Sequence, residues 1–187
     1  LDGLTVVITY EDGKLAKAVT RGNGEIGEVI TANAGTFVNI PSAIPFRGQL
    51  VVRGEAVIKY SDFEKINEQI ADADAKYKNP RNLCSGTVRQ LDPAVTKSRN
   101  VHFFVFSLES ASEDGTDVDF NNSNEQKFIW LKEQGFETVE YMRVNAETVV
   151  SGVRSFAEKI ADYDVPSDGL VLLMDDIEYG KSLGRTA

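Results

Sequence analysis

Leu50-Val51-Val52-Arg53-Gly54-Glu55-Ala56-Val57-Ile58-Lys59-Tyr60 is an apolar, β-branched run broken at its centre by two opposite charges and a glycine. Val, Ile and aromatic side chains favour a pleated, half-buried backbone, so the run reads as a strand. A charge inside such a strand needs a partner or a ligand, because burying it alone costs several kcal/mol. Arg53 and Glu55 stand at i and i+2 and share one face of the strand, which allows a structural ion pair between them. The favoured alternative is a functional face, on which Glu55 accepts hydrogen bonds from a ribose hydroxyl or an amine.

Outward from this run the chain alternates between strand and helix signals. Leu4–Tyr10 is a second apolar strand, Glu11-Asp12-Gly13-Lys14 a tight turn, and Leu15–Thr20 the return of a hairpin. Val101–Leu108 is a further strand. Ser61-Asp62-Phe63-Glu64 has the form of a capping box, after which Phe63, Ile66 and Ile70 line one helical face. Ser123 with Gln126 repeats the signal ahead of a helix that stops at Gly135. Glu137–Val144 alternates as a strand, and Asn145 is placed to cap a helix whose Val149, Val153, Phe156 and Ile160 form an apolar stripe. Leu170–Met174 reads as a buried strand, and Ala111–Asn122 as a polar surface loop. Without a regular βαβ repeat, the expected class is α+β, antiparallel sheets flanked by helices.

The 187 residues suffice for one domain with a substantial core. No apolar run of about eighteen residues occurs, so no membrane-spanning helix is expected. The net charge of −9 argues against a simple basic nucleic-acid binder. It is unevenly placed, however. Residues 1–110 hold 13 Lys/Arg against 13 Asp/Glu, and residues 111–187 hold 7 against 16. A site for an anionic substrate is therefore expected in the first part. Cys84 is the sole cysteine, which fits a cytoplasmic origin and excludes an internal disulfide. The chain opens at Leu1 without Met or signal peptide, and so reads as a piece of a longer protein.

Three more segments bear on chemistry. Thr20-Arg21-Gly22-Asn23-Gly24-Glu25-Ile26-Gly27 surrounds one arginine with glycines. It reads equally as a surface turn and as a loop whose backbone approaches a phosphate or carboxylate held by Arg21. Asn79-Pro80-Arg81-Asn82 leads on to Arg89, eight residues after Arg81. Pro80 suits the first turn of a helix. Eight helical residues rotate by about 800°, so both arginines would point broadly to one side, as a grip on polyphosphate or DNA backbone. Against this stands a solvated basic face. Asp168, in Pro166-Ser167-Asp168-Gly169, either caps a turn or orients a cation. His102, Trp130 and Cys84 read as packing residues.

Taken together, Leu1-Asp2-Gly3-Leu4, Thr20–Gly24, Val52–Glu55, Asn79–Asn82 through Arg89–Asp92, Phe103–Phe106 and Asp168-Gly169 closely resemble the adenylation domain of bacterial NAD-dependent DNA ligases. These six segments follow the family's order over nearly the whole chain. The resemblance implies the nucleotidyltransferase fold shared by DNA ligases and mRNA capping enzymes. It also implies that residues 1–187 are most of that domain, cut just after the nucleophilic lysine and before the last lysine motif. In the family that lysine takes AMP from NAD, passes it to the 5′-phosphate of a nick, and the 3′-hydroxyl displaces it. A fragment without the lysine is expected to be inactive and to bind DNA poorly.

Carried over, Asp2 would orient the lysine and leaving group, and Arg21 would contact the nucleotide sugar or phosphate. Glu55 would bind the AMP ribose, Phe106 would stack on adenine, and Val171 would be a further nucleotide contact. Arg81 and Arg89 would engage the NMN and nick phosphates, and Asp168 the phosphate and Mg²⁺ environment. NAD and Mg²⁺ are the implied cofactors, with Zn²⁺ only in parts of the parent outside this chain. Partners would be NAD or AMP and nicked duplex DNA, for a monomeric protein away from membranes. The chain departs from the pattern at Asn23 and Val29, where Asp is usual, and at Leu173, where a lysine is usual. An apolar Leu173 cannot neutralise phosphate, which keeps open a non-catalytic nucleotide- or DNA-binding paralogue. An ATP-dependent ligase or capping-type enzyme is the third reading.

Overall fold

Asp12 and Gly13 both adopt the left-handed region, with φ of 49° and 75°, and so make the tight turn whose twist suits a hairpin. The computed structural model of the chain describes residues 1–21 and 27–184. The turn joins β1 (Leu4–Glu11) to β2 (Lys14–Thr20). The opening run becomes β3 (Gln49–Val57), paired antiparallel to β1, and β4 (His102–Glu113) pairs antiparallel to β3. A second left-handed pair, Asp114 and Gly115, turns β4 back into the short β5 (Thr116–Asp117). The sheet order is β2-β1-β3-β4-β5. The stretch Ala111–Asn122 therefore carries a hairpin and is not wholly a loop, because its Asp-Gly pair has turn chemistry.

One face of the sheet is the core. Val6, Ile8 and Tyr10 of β1, Leu50 and Val52 of β3, and Phe103, Val105 and Leu108 of β4 are buried together. Over them pack α3 (Pro80–Thr87), through Leu83 and Cys84, and α5 (Asn124–Glu133), through Phe128 and Leu131. Short helices α1 (Thr31–Ala34) and α4 (Pro93–Ser98) join through Asn33, whose amide donates to the Thr96 hydroxyl at 2.8 Å. Gly54 faces this core. A Cβ there would stand 2.5 Å from the Phe104 carbonyl oxygen and 2.6 Å from the Phe103 ring, so only glycine fits between the charged residues.

The helix signals fare unevenly. Ser123 caps α5 by accepting from the Gln126 N–H at 3.2 Å, and Gly135, at φ 96°, stops it. The proposed capping box does not form. α2 (Tyr60–Glu68) starts two residues earlier, with Lys59 at its N-cap, and Ser61 donates instead to Asp164, from its backbone N–H at 2.9 Å and its hydroxyl at 2.7 Å. Phe63 and Ile66 still pack on the core. Asn145 caps the turn ahead of α6 (Val149–Ala161), accepting from the N–H groups of Glu147 and Thr148. The apolar stripe of α6 has the expected period but only partial cover: Val149, Phe156 and Ile160 are half-buried and Val153 is exposed.

Two expected strands are not formed. In Glu137–Val144 only Thr138 bridges to β4, flanked by hydrogen bonds between Val105 and residues Glu137 and Val139. Leu170–Met174 is extended neither in a ladder nor in the core, with exposures from 37% to 88%. No described strand lies beside it to accept its backbone hydrogen bonds, so apolar content alone does not make it a strand. The remaining α7 (Ile177–Ser182) is capped by Asp176. Among the described residues no helix is long and apolar enough to cross a membrane.

Candidate active site

The other face of the sheet carries the polar residues. Alternation along β1 and β3 sets Thr5, Val7, Arg53 and Glu55 opposite to the buried set, and all are half-buried. Thr5 and Glu55 are direct cross-strand partners. The Thr5 hydroxyl donates to Glu55 Oε2 at 2.9 Å, and the Gly3 backbone N–H donates to Oε1 at 3.1 Å. Gly3 permits this approach because a Cβ there would fall 2.1 Å from the Ala56 carbonyl oxygen. Burial pushes the Glu55 carboxyl above its ordinary pKa of 4.5. The hydrogen bonds from Thr5 and Gly3 and the Arg81 charge pull the other way without cancelling it.

Around Glu55 the structure gathers three sequence-distant segments. The Asp2 backbone N–H donates to the Pro166 carbonyl at 2.8 Å, pinning the 166–168 loop to the start of β1. Asp168 Oδ1 stands 3.8 Å from the Leu1 backbone nitrogen. Arg81 Nη1 of α3 lies 3.3 Å from Asp2 Oδ1. Local chemistry aims α3: Pro80 occupies its first turn, and Asn79 caps it by accepting from the Asn82 N–H at 2.8 Å. Cys84 then anchors the helix to β3, its thiol donating to the Ala56 carbonyl at 3.2 Å. Asp2, Glu55, Arg81 and Asp168 are thus neighbours, although they span most of the chain.

Arg89 is placed differently from the expectation. α3 ends at Thr87, so the two arginines do not project from one helix. Arg89 Nε instead donates to Glu28 Oε2 at 2.7 Å, and its Nη1 to the Ser85 carbonyl at 2.8 Å. Arg53 does not pair with Glu55 either. Its guanidinium meets Glu109 Oε2 at 3.2 Å, Glu109 is steadied by the Ser107 hydroxyl at 2.7 Å, and Arg53 Nε is buried without a hydrogen-bond partner. The structural ion pair considered for the central run is absent, which leaves Glu55 to Gly3 and Thr5.

Phe106 sits at an irregularity. The register steps from Gly54 opposite Val105 to Arg53 opposite Ser107, so Phe106 and Ser107 share one partner in a β-bulge, a device that re-aims side chains. Phe104, opposite Glu55, also belongs to the wall of a cavity of about 290 Å³ with Phe136, Val139 and Tyr163. Arg21 is exposed, and its backbone N–H donates to the Thr5 carbonyl at 2.9 Å, which sets it at the rim. The rest of the glycine loop, Gly22–Ile26 with Asn23, lies outside the described residues. Val171 and Leu173, 88% and 60% exposed, make no described contact with the Glu55 cluster.

Among the described residues, no group of three or more His, Cys, Asp or Glu side chains is arranged to hold a metal. His102 behaves as a packing residue, stacked on Phe104 at 6.3 Å with Nδ1 3.0 Å from the Asn100 carbonyl. Thr5 is the site residue that sequence reasoning missed. In a strand of alternating apolar residues a threonine is unremarkable, and only the register reveals its partner.

The arrangement can hold a hydroxylated, anionic ligand: a fixed carboxylate acceptor, flanking arginines, and backbone close enough to exclude side chains. A family model described as "NAD-dependent DNA ligase adenylation domain" matches residues 1–187. A DNA ligase of Lachnoclostridium phytofermentans is 58% identical over 187 residues, all of this chain and 28% of that protein. A DNA ligase of Ruminiclostridium cellulolyticum is 56% identical over the same span and share. One of Alkalilimnicola ehrlichii is 39% identical over 195 residues, again 28% of its length. The chain thus spans little more than a quarter of these relatives.

Proposed function

The chain belongs to the NAD-dependent DNA ligase adenylation domain family, and on that premise we propose that the protein containing it seals nicks in duplex DNA with NAD as the AMP donor. A lysine immediately before Leu1 attacks the α-phosphorus of NAD. The Nζ–P bond forms as the bond to nicotinamide mononucleotide breaks, and the adenylate then passes to the 5′-phosphate of a nick. Such transfers rest on positioning and charge neutralisation more than on covalent chemistry.

The observation that carries this reading is the doubly held Glu55. A carboxylate offers about four acceptor positions; Gly3 and Thr5 take one on each oxygen, leaving one on each for neighbouring ribose hydroxyls. Asp2 orients the lysine and the leaving group. Arg21 meets the sugar or phosphate, and Phe106 lies against adenine, where a flat ring offers an apolar face. Arg81 and Arg89 serve the NMN and nick phosphates in successive steps, exchanging their present carboxylates for phosphate oxygens. With Leu173 uncharged, neutralisation falls to these arginines. Mg²⁺ supplies further neutralisation when it accompanies the phosphates, and Asp168 is the carboxylate nearest that role. A site using one carboxylate and substrate phosphates matches the usual preference of Mg²⁺. The reading extends to a monomeric cytoplasmic enzyme of DNA replication and repair.

The test is incubation of the full-length protein with NAD labelled in its adenylate, in the presence of Mg²⁺. An acid-labile AMP–protein adduct is expected. Absence of the adduct overturns the reading.

A further inference from the structure

We propose that Thr5 is a positioning residue for the nucleotide: its hydroxyl holds the Glu55 carboxylate in the one orientation that presents both remaining acceptor positions to the ribose. The inference rests on the ribose role of Glu55 given above.

A glutamate on an open sheet face has three rotatable bonds and many rotamers, and binding through it is weakened unless something fixes it beforehand. Two donors converge on Glu55. The Gly3 N–H belongs to the backbone, so Thr5 is the one side chain in the pair. Its geometry is set by the sheet. Thr5 is the direct antiparallel partner of Glu55, which places their Cβ atoms about 5 Å apart, within reach of a hydroxyl and a carboxylate. A β-branched side chain is stiff at χ1, so the hydroxyl is already aimed. Because Gly3 holds Oε1 and Thr5 holds Oε2, the plane of the carboxylate is fixed and not merely its position. Thr9 lies on the same face of β1 but opposite Val51, and so provides an internal control.

The experiment is NAD-dependent adenylation of the full-length protein, measured as a function of NAD concentration for Thr5→Val, Thr5→Ser, Thr9→Val and Glu55→Ala. Thr5→Val keeps the shape and removes the donor. It is expected to raise KM for NAD about tenfold, the scale of one hydrogen bond to a charged group, with kcat within about twofold. Thr5→Ser restores the donor and is expected to restore KM, and Thr9→Val to match the unaltered protein. Partial misfolding of Thr5→Val would lower only the apparent kcat, so an unchanged KM overturns the inference whatever the yield. A Thr5→Ser protein as impaired in KM as Thr5→Val also overturns it. Loss of adenylation in Glu55→Ala with an unchanged KM in Thr5→Val defeats the role of Thr5 alone. Adenylation retained in Glu55→Ala defeats the underlying reading.

Discussion

Arg81, on the first turn of α3, sets its guanidinium 3.3 Å from the carboxylate of Asp2 at the start of β1, a contact between residues 79 apart in the chain. The two side chains are 63% and 37% exposed, and an ion pair so hydrated contributes little stability. Its consequence is placement: the cation proposed to read a phosphate is parked beside the carboxylate proposed to orient the leaving group.

Replacing Arg81 by alanine is therefore expected to change unfolding free energy by less than about 1 kcal/mol. The proposed role requires adenylation to fall about tenfold or more. Urea denaturation and the rate of nicotinamide mononucleotide release, measured on the same preparation, separate the two effects.

Glu55→Ala is expected to abolish adenylation while the fold persists, because Glu55 lies on the open face and not in the core. Glu55→Gln addresses titration. Burial, the largest influence, raises the Glu55 pKa above 4.5 against the opposing hydrogen bonds and the Arg81 charge. A carboxyl raised in the folded state contributes stability that is complete below its unfolded pKa and is lost as pH rises through the folded value. Glutamine cannot ionise. Relative to the unaltered protein, the Tm of Glu55→Gln should thus be higher at pH 8 than at pH 4, and thermal scans at both values check the sign.

Gly54→Ala is expected to cost about 1–3 kcal/mol, because the added methyl must displace the Phe104 carbonyl or the Phe103 ring. The damage adjoins the bulge that carries Phe106, so nucleotide binding should fall as well. Chemical denaturation and NAD titration are the measurements.

Asp175 holds the start of α5, accepting from the Glu125 N–H and the Ser123 hydroxyl, each at 2.8 Å. The Glu125 N–H is the main cause of its lowered pKa; Ser123 and Arg143 add to it, against burial and Asp176. A depressed carboxylate stabilises above its unfolded pKa of about 3.8 and loses that contribution as pH falls through the folded value. Asp175→Ala should cost about 1 kcal/mol at pH 7, with the gap narrowing toward pH 2 in urea titrations.

Features closed within a few residues were legible beforehand. Asp12-Gly13 announces its turn because both positions require positive φ. Pro80 and Ser123 announce their helices, the first because its ring suits a first turn and the second because its side chain satisfies the N–H three residues on. The same reasoning failed at Ser61, where Asp164, 103 residues away, competes for the groups that a capping box would use. It failed again at Arg89, because periodicity does not say where α3 ends.

The sequence by itself determined the first hairpin turn, the starts of α3 and α5 and the order of the motifs, and with them the family, because turns, caps and residue identities are local properties. Only the tertiary structure decided which groups meet. Glu55 faces Thr5 and not Arg53 because register across β1 and β3 pairs them, and a slip of one residue would send the carboxylate to the opposite face. The β-bulge at Phe106 is marked by no local signal. Leu170–Met174 has the composition of a strand, but a strand exists only where a neighbour accepts its hydrogen bonds.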